Sequence, residues 1–265
     1  MVSDLFDMHA RLLRRDRAAR RPVSFLLERE FDDILERLSC ISRRFRSALL
    51  LGVPDPSWTG RLASVVDQVI AVDPGAEFAT AAGGTRSLEE SLDFEPARFD
   101  LCVAAGTLDT VNALPDVLLR LRFLLAPDSF LIGVMSGGNT LPRLRQAMRA
   151  ADGAMGAASP HVHPRVEPAA LAQLLTAAGF AMPVVDVERV RVSYREFRQL
   201  VGDLRGMAAT NILTARSRKP LTRAALCAAE AEFGAAATES RITELFELLH
   251  FAAWTPTQAI QPVNG

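Results

Sequence analysis

The sequence predicts an α/β protein whose core is a mostly parallel β-sheet. Short, almost wholly apolar runs at 47–52, 69–73, 99–104 and 129–135 have the length of strands that are buried on both faces. Helical patterns lie between them. The clearest covers 113–125, with a proline and an aspartate in its first turn and another proline just past its end. This alternation of strands and helices predicts right-handed crossovers in a parallel sheet.

The composition is that of an ordinary globular protein and excludes several functional classes. The 265 residues are 49% hydrophobic and 23% charged with a net charge of -1, so nothing points to nucleic acid as a partner.

Three scattered cysteines (Cys40, Cys102 and Cys227) form neither a disulfide framework nor a zinc pair, and they fit a reducing compartment. No apolar run approaches the roughly 20 residues of a membrane span, and Leu5–Met8 is too short for a secretory core. We therefore expect a cytoplasmic protein, or one loosely peripheral to a membrane.

The elements suggest one main domain with helical additions. Basic and apolar residues at helical spacing predict an N-terminal helical segment over 1–45. The main domain is expected over 46–254, with helical insertions at about 139–180 and 194–236. The polar tail 255–265 is expected to be loose.

Two further strands are expected in the second half of the chain. Alternating valines among charges predict a strand at 183–193. The segment 242–254 is a strand candidate as well, although its periodicity also permits a helix.

The loop after the first strand is where a nucleotide-binding unit of this type would hold its ligand. Such a loop is usually rich in glycine, because its backbone N–H groups must approach the ligand closely. Here Gly52 and the distant Gly60 are the only glycines, and Pro54 and Pro56 each remove an N–H donor. Trp58 adds bulk beside them.

Two other strand ends carry candidate ligand-binding residues. Asp73 lies 21 residues past Gly52, where a carboxylate holds ribose hydroxyls in such folds, but it can equally cap the next helix. Ala105 and Gly106 permit close approach of a ligand, or simply a plain turn. Asp109 is a possible base, although a solvated aspartate is the commoner role.

Polar loops after the fifth strand complete the set of candidates. His161 and His163 alternate between prolines without neighbouring acids or cysteines, which favours a structural or substrate-contacting loop over a zinc site. The run from Ser136 to Thr140 can cradle an anion, but a helix cap at Asn139 or Thr140 is the commoner outcome.

Several stretches, in sequence order, resemble a known family. The more specific are Gly137-Gly138-Asn139-Thr140-Leu141, Ser159-Pro160-His161 and Asp203-Leu204-Arg205-Gly206-Met207. The others lie at 87–94, 99–101, 124–133 and 175–180. Together they resemble class I S-adenosylmethionine methyltransferases, and more narrowly the methyltransferase-like assembly factor 5 family of respiratory complex I and its bacterial relatives.

This resemblance implies a fold, a cofactor and a substrate. The fold is a Rossmann-like sheet of seven strands with the last one antiparallel, flanked by helices, and adenosylmethionine binds at the strand tips. The substrate is a protein, an arginine of a complex I subunit that is hydroxylated rather than methylated. A location peripheral to the inner membrane is then the alternative to the cytoplasm.

The chain departs from the family pattern at three positions that face the cofactor. One glycine, Gly52, replaces the glycine-rich motif, and no acid precedes it. The family's adenine-binding aspartate falls at Leu88, with Glu89 adjacent, and its His-Trp pair falls at Asp109-Thr110. Asp73, at the ribose position, is retained.

Two hypotheses from different classes follow. In the first, the protein is an adenosylmethionine-dependent enzyme that modifies a protein, with cofactor contacts from Gly52, Asp73, Glu89, Ala105 and Gly106. Its substrate or partner contacts are then expected at Asn139, His161 and Asn211, and no catalytic base is identified. In the second, it is a non-catalytic assembly or chaperone-like protein on the same fold, and Pro54, Pro56 and Trp58 fill the pocket.

Overall fold

The computed structural model describes residues 4–257, which form a seven-stranded β-sheet with helices between the strands. The strands are β1 (Phe45–Leu51), β2 (Val66–Asp73), β3 (Thr85–Arg86), β4 (Phe99–Ala105), β5 (Leu125–Ser136), β6 (Ala181–Tyr194) and β7 (Ile242–Trp254). The helices are α1 (Met8–Ala19), α2 (Phe25–Ser39), α3 (Ser57–Leu62), α4 (Ala76–Ala81), α5 (Leu114–Leu124), α6 (Pro142–Met155), α7 (Pro168–Ala177), α8 (Phe197–Gly206) and α9 (Arg223–Ala235). No helix within 4–257 is long and apolar enough to cross a membrane.

The sheet order is β3-β2-β1-β4-β5-β7-β6, with β1 parallel to both β2 and β4, and β4 parallel to β5. All residues of β4 are buried, as expected for a central strand that is covered by helices on both faces. The predicted seven-stranded, mostly parallel α/β fold is thus confirmed. The 242–254 segment, whose pattern allowed either element, is a strand.

Several local expectations are wrong in detail. The short strand β3 was not predicted, since two strand residues carry too little pattern. Strand β5 begins at Leu125, directly after helix α5, rather than at 129. The expected loose tail does not include Thr255, which is 2% exposed. Its Oγ1 accepts a hydrogen bond from the Ser129 amide at 2.7 Å and donates one to the Ala126 carbonyl at 2.6 Å. Residues 258–265 of that tail lie outside the described residues.

The cap of helix α6 also differs from the prediction. Neither Asn139 nor Thr140 caps it, and the residue before the helix is Leu141 in the left-handed region, with a φ of 61°. The carboxylate of Glu244 on β7 instead accepts hydrogen bonds from the amides of Arg143 and Leu144, at 3.2 and 2.8 Å. A carboxylate at this position complements the positive end of the helix dipole.

The described chain divides into two compact units. Unit 1 contains the chain up to Val23, Ser136–Val166 and Val187–Leu248. Unit 2 contains Ser24–Met135, Glu167–Asp186 and the chain from Leu249. Within unit 1, α6 packs against α9 and α1 packs against α8. Within unit 2, β1 lies between β2 and β4, so the ends of these three strands lie side by side.

Candidate functional site

The candidate site in unit 2 is the edge of the sheet where β1, β2 and β4 end. The register pairs Leu51 with Val72 on one side and with Ala104 on the other. The residues that follow these three are Gly52, Asp73 and Ala105. The structure therefore brings together three of the residues that the sequence selected, at the carboxyl edge where open α/β sheets bind ligands.

Asp73 is wholly buried at this edge, with 0% of its surface exposed. One carboxylate oxygen, Oδ2, accepts a hydrogen bond from the Val53 amide at 2.8 Å. The other, Oδ1, accepts one from the Gly75 amide at 2.7 Å. Gly75 is the residue that precedes helix α4, so Asp73 stabilises the turn into that helix and also ties the β1 loop to the β2 loop.

Gly52 is required by the backbone and by its surroundings. Its φ is +83°, a conformation that residues with a side chain rarely adopt. A Cβ added there would lie 2.5 Å from the Ala105 carbonyl oxygen and 2.6 Å from Cγ2 of Thr107. The position that a Cβ would take at Gly52 is therefore occupied by the chain itself, at and just after the end of β4.

Gly106, directly after β4, is covered by helix α2. Its φ is +69°, and an added Cβ would lie 2.8 Å from Cδ2 of Leu27. The Gly106 amide donates to the Val134 carbonyl at 3.1 Å, which continues the β4–β5 pairing past the strand end. Leu27 had no signal in the sequence, because its position over Gly106 depends on how α2 packs in the folded unit.

Trp58 packs against helix α2 and has no exposed surface. Its ring stacks on Phe31 with parallel planes and centroids 4.1 Å apart. Its Nε1 donates to a carboxylate oxygen of Glu28 at 2.9 Å, and the other oxygen of Glu28 pairs with Arg61 at 2.9 Å. Trp58, which lies in α3, thus joins this helix to α2.

Glu89 lies in a short 3₁₀ turn, Glu89–Ser91, after β3 and is 1% exposed. The neighbouring Leu88, at the family's adenine position, is partly exposed, and so are Asp109 and Thr110. The side chain of Glu90 accepts a hydrogen bond from the Asn112 amide at 3.1 Å. This contact joins the turn at 89–91 to the segment after β4.

Of the candidate partner-contacting residues in unit 1, Asn139 is engaged internally. Its backbone amide and its side-chain Nδ2 both donate to the carboxylate of Glu247, at 3.1 to 3.3 Å. Arg189 pairs with the same carboxylate at 3.2 Å. Asn139 therefore fixes the loop after β5 onto β7.

His161 and Asn211 come together at a second place in unit 1, where they line one cavity. Nε2 of His161 contacts the carboxylate of Asp152 at 2.8 Å. Nδ2 of Asn211 donates to the Pro160 carbonyl at 2.8 Å. The structure thus brings His161 and Asn211 together at one cavity, whereas Asn139 is bound to Glu247.

The chain was compared with known proteins. No protein-family model matches it. It is 29% identical to the arginine-hydroxylase NDUFAF5, mitochondrial, of Mus musculus over 266 residues, which cover 95% of this chain and 77% of that protein. The Homo sapiens protein of the same name is 31% identical over 223 residues, covering 78% of this chain and 64% of that protein.

A bacterial enzyme and a solved structure are also similar. The malonyl-(acyl-carrier protein) O-methyltransferase of Laribacter hongkongensis is 30% identical over 167 residues, which cover 63% of this chain and 54% of that protein. The crystal structure of the YcgJ protein from Bacillus subtilis superposes with a TM-score of 0.58 at 12% identity, covering 85% of this chain and 97% of that one. The fold, the order of the elements and these relatives agree. The chain has the Rossmann-like fold of class I S-adenosylmethionine-dependent methyltransferases, and its sequence is similar to those of the arginine-hydroxylase NDUFAF5 proteins.

Proposed function

We propose that this protein is a non-catalytic, protein-binding assembly factor on a methyltransferase fold, and that its strand edge does not hold adenosylmethionine. The single observation that carries this proposal is the state of Asp73. A carboxylate that binds ribose must present oxygen atoms to the ligand, and in a ligand-free pocket it would be exposed. Asp73 is instead 0% exposed, with both oxygens accepting backbone hydrogen bonds.

The loop after β1 supports the same conclusion. Pro54 and Pro56 have no N–H to donate, and the amide of Val53 already donates to Asp73. The position that a Cβ would take at Gly52 is occupied by Ala105 and Thr107. A loop of this kind offers an anionic or hydroxylic ligand few backbone donors, which supports the proposal that adenosylmethionine is not held there.

The partner class is proposed from the family. The stretches at 136–145, 159–164 and 203–211 that carry the narrower resemblance all lie in unit 1. We therefore place the partner-binding surface in unit 1. The resemblance implies a respiratory complex I subunit as the partner, and a location in the cytoplasm or peripheral to the inner membrane.

Calorimetric titration of the folded protein tests the proposal directly. Adenosylmethionine and adenosylhomocysteine are each added up to millimolar concentration, after a melting curve has established that the protein is folded. We expect no detectable heat of binding. A dissociation constant below about 100 μM, equivalent to about 5.5 kcal/mol of binding free energy, would contradict the proposal.

The second candidate is an adenosylmethionine-dependent enzyme that modifies a protein arginine. It is favoured by the activity for which the mouse and human relatives, arginine-hydroxylases, are named and by the acid retained at the end of β2. Peptide mass spectrometry of complex I subunits from cells with and without this protein separates the candidates. An arginine that gains one oxygen atom or one methyl group only when the protein is present would establish the enzyme and refute the non-catalytic proposal.

A further inference from the structure

Unit 1 contains a cavity that is separate from the residues of the strand edge. Its volume is about 420 Å³, within the range of roughly 300–1,000 Å³ that is typical of small-molecule sites. Helices α6, α8 and α9 form its walls, together with the loops around residues 161–165 and 209–211.

The walls of the cavity are largely apolar. Leu144 and Met148 of α6, Phe197 and Leu204 of α8, and Leu226 of α9 all line it. Apolar walls of this kind favour a ligand with a hydrocarbon chain or ring, because water is released when the two surfaces meet. A volume of 420 Å³ holds about fourteen non-hydrogen atoms at the roughly 30 Å³ that one water occupies in the liquid.

The ionisable side chains around the cavity are all basic. Arg165, Arg198, Arg205 and two histidines line it, and none of the described residues in its lining is an aspartate or a glutamate. Arg198 already pairs with Glu230 at 2.7 Å. The cavity is therefore apolar in its walls and positive in its charge, which suits a ligand with an apolar body and one negative group.

Neighbouring arginines increase this positive charge. Burial lowers the pKa of Arg145, and the nearby charges of Arg165 and Arg149 lower it further, against an opposing effect of Glu244. Burial likewise lowers the pKa of Arg14, and Arg205 is among the positive charges that add to the effect. Nη1 of Arg14 donates to Oγ1 of Thr210, a residue that lines the cavity, at 2.7 Å. An anion beside these guanidinium groups would relieve the repulsion between them.

The histidine loop holds the wall of the cavity in place. The Ile212 amide donates to Nε2 of His163 at 3.0 Å, so the proton of that neutral ring lies on Nδ1. The ring of His163 also packs edge to face with Phe6, with centroids 5.2 Å apart. These two contacts hold the ring of His163 in place in the wall of the cavity.

We propose that this cavity binds a monocarboxylate with an apolar chain of medium length, such as a fatty acid, whose carboxylate is held by Arg165 and Arg205. This site shares no residue with the strand edge, and its lining includes residues of the stretches on which the partner-binding surface is proposed. A bound acyl chain would fill the cavity between α6, α8 and α9 and stabilise unit 1.

Titration with decanoate tests the proposal. This anion has about twelve non-hydrogen atoms, a number that the volume of the cavity can hold. We expect decanoate to bind with a sub-millimolar dissociation constant, and decanol, which lacks the charge, to bind about tenfold more weakly or worse. Failure of decanoate to bind at millimolar concentration would overturn the proposal. Equal binding of decanoate and decanol would overturn the assignment of a carboxylate.

Three variants locate the binding. Arg165→Gln and Arg205→Gln should each weaken decanoate binding by about ten- to hundredfold, while Arg191→Gln, which changes an exposed arginine outside the lining, should leave it unchanged. Ala209→Phe places a ring in the cavity and should abolish binding without lowering the melting temperature. Undiminished binding by the Ala209→Phe variant, or equal losses for Arg205→Gln and Arg191→Gln, would show that the ligand lies elsewhere.

Discussion

Replacement of Asp73 distinguishes a structural carboxylate from one that binds a cofactor. The Asp73→Asn variant keeps the size of the side chain but turns one of the two acceptor oxygens into an NH₂ donor. That donor must then face the amide of either Val53 or Gly75, both of which now donate to the carboxylate. The Asp73→Ala variant removes both acceptors at once.

The expected cost follows from the burial of these groups. A buried N–H group that loses its acceptor costs about 1–3 kcal/mol. Asp73→Asn leaves one such group and should lower the free energy of unfolding by about 1–3 kcal/mol. Asp73→Ala leaves two and should cost about 2–6 kcal/mol. Asp67→Asn is the matched control, because Asp67 lies on the same strand but is exposed and pairs with an exposed arginine, so its loss should cost under about 1 kcal/mol.

Urea unfolding, followed by tryptophan fluorescence or circular dichroism, measures these differences. The structural role predicts the order Ala, then Asn, then the Asp67 control, from largest to smallest loss. If the carboxylate served only a cofactor, both Asp73 variants would have nearly the same free energy of unfolding as the unchanged protein when no ligand is present. If Asp73→Ala unfolds at the same urea concentration as the unchanged protein, the reasoning about the strand edge is wrong.

Two further predictions concern the packing of α2 and of α1. Trp58→Ala should lower the free energy of unfolding by about 3–5 kcal/mol, because the buried ring stacks on Phe31; a loss below about 1 kcal/mol in urea unfolding would contradict this packing. The hydrogen bond from the Ala10 amide, and then the one from Arg216, lower the pKa of Asp7 from 3.8 to about 2. Because the folded pKa is the lower one, Asp7 stabilises the protein above about pH 4 and this contribution is lost as the pH falls towards 2. Asp7→Asn should therefore flatten the pH dependence of the urea midpoint between pH 2 and 4, and an unchanged acid limb would refute this role.

The sequence was sufficient for features that depend on local pattern. The buried strands are almost wholly apolar, so β1, β4 and the strand edge where they end could be located from residue types alone. Contacts between residues that are far apart in the chain could not be located in this way. The cap of α6 comes from Glu244, about 100 residues away in the chain, and Leu27 covers Gly106 from a helix that precedes the sheet. The sequence shows that Gly52 stands in the β1 loop, but only the folded structure shows that a side chain there would meet the Ala105 carbonyl.

At the strand edge a buried carboxylate is compensated by groups of the chain itself. Asp73 accepts hydrogen bonds from the loops after β1 and β2, so these loops are joined by the chain's own groups. A pocket that needs a ligand to satisfy a buried carboxylate would lose stability when it is empty, since an unpaired buried charge is costly. Here the amides of Val53 and Gly75 supply that compensation. The acid at the end of β2 is therefore not sufficient to infer cofactor binding in this chain, because the hydrogen bonds of its oxygens determine what it does.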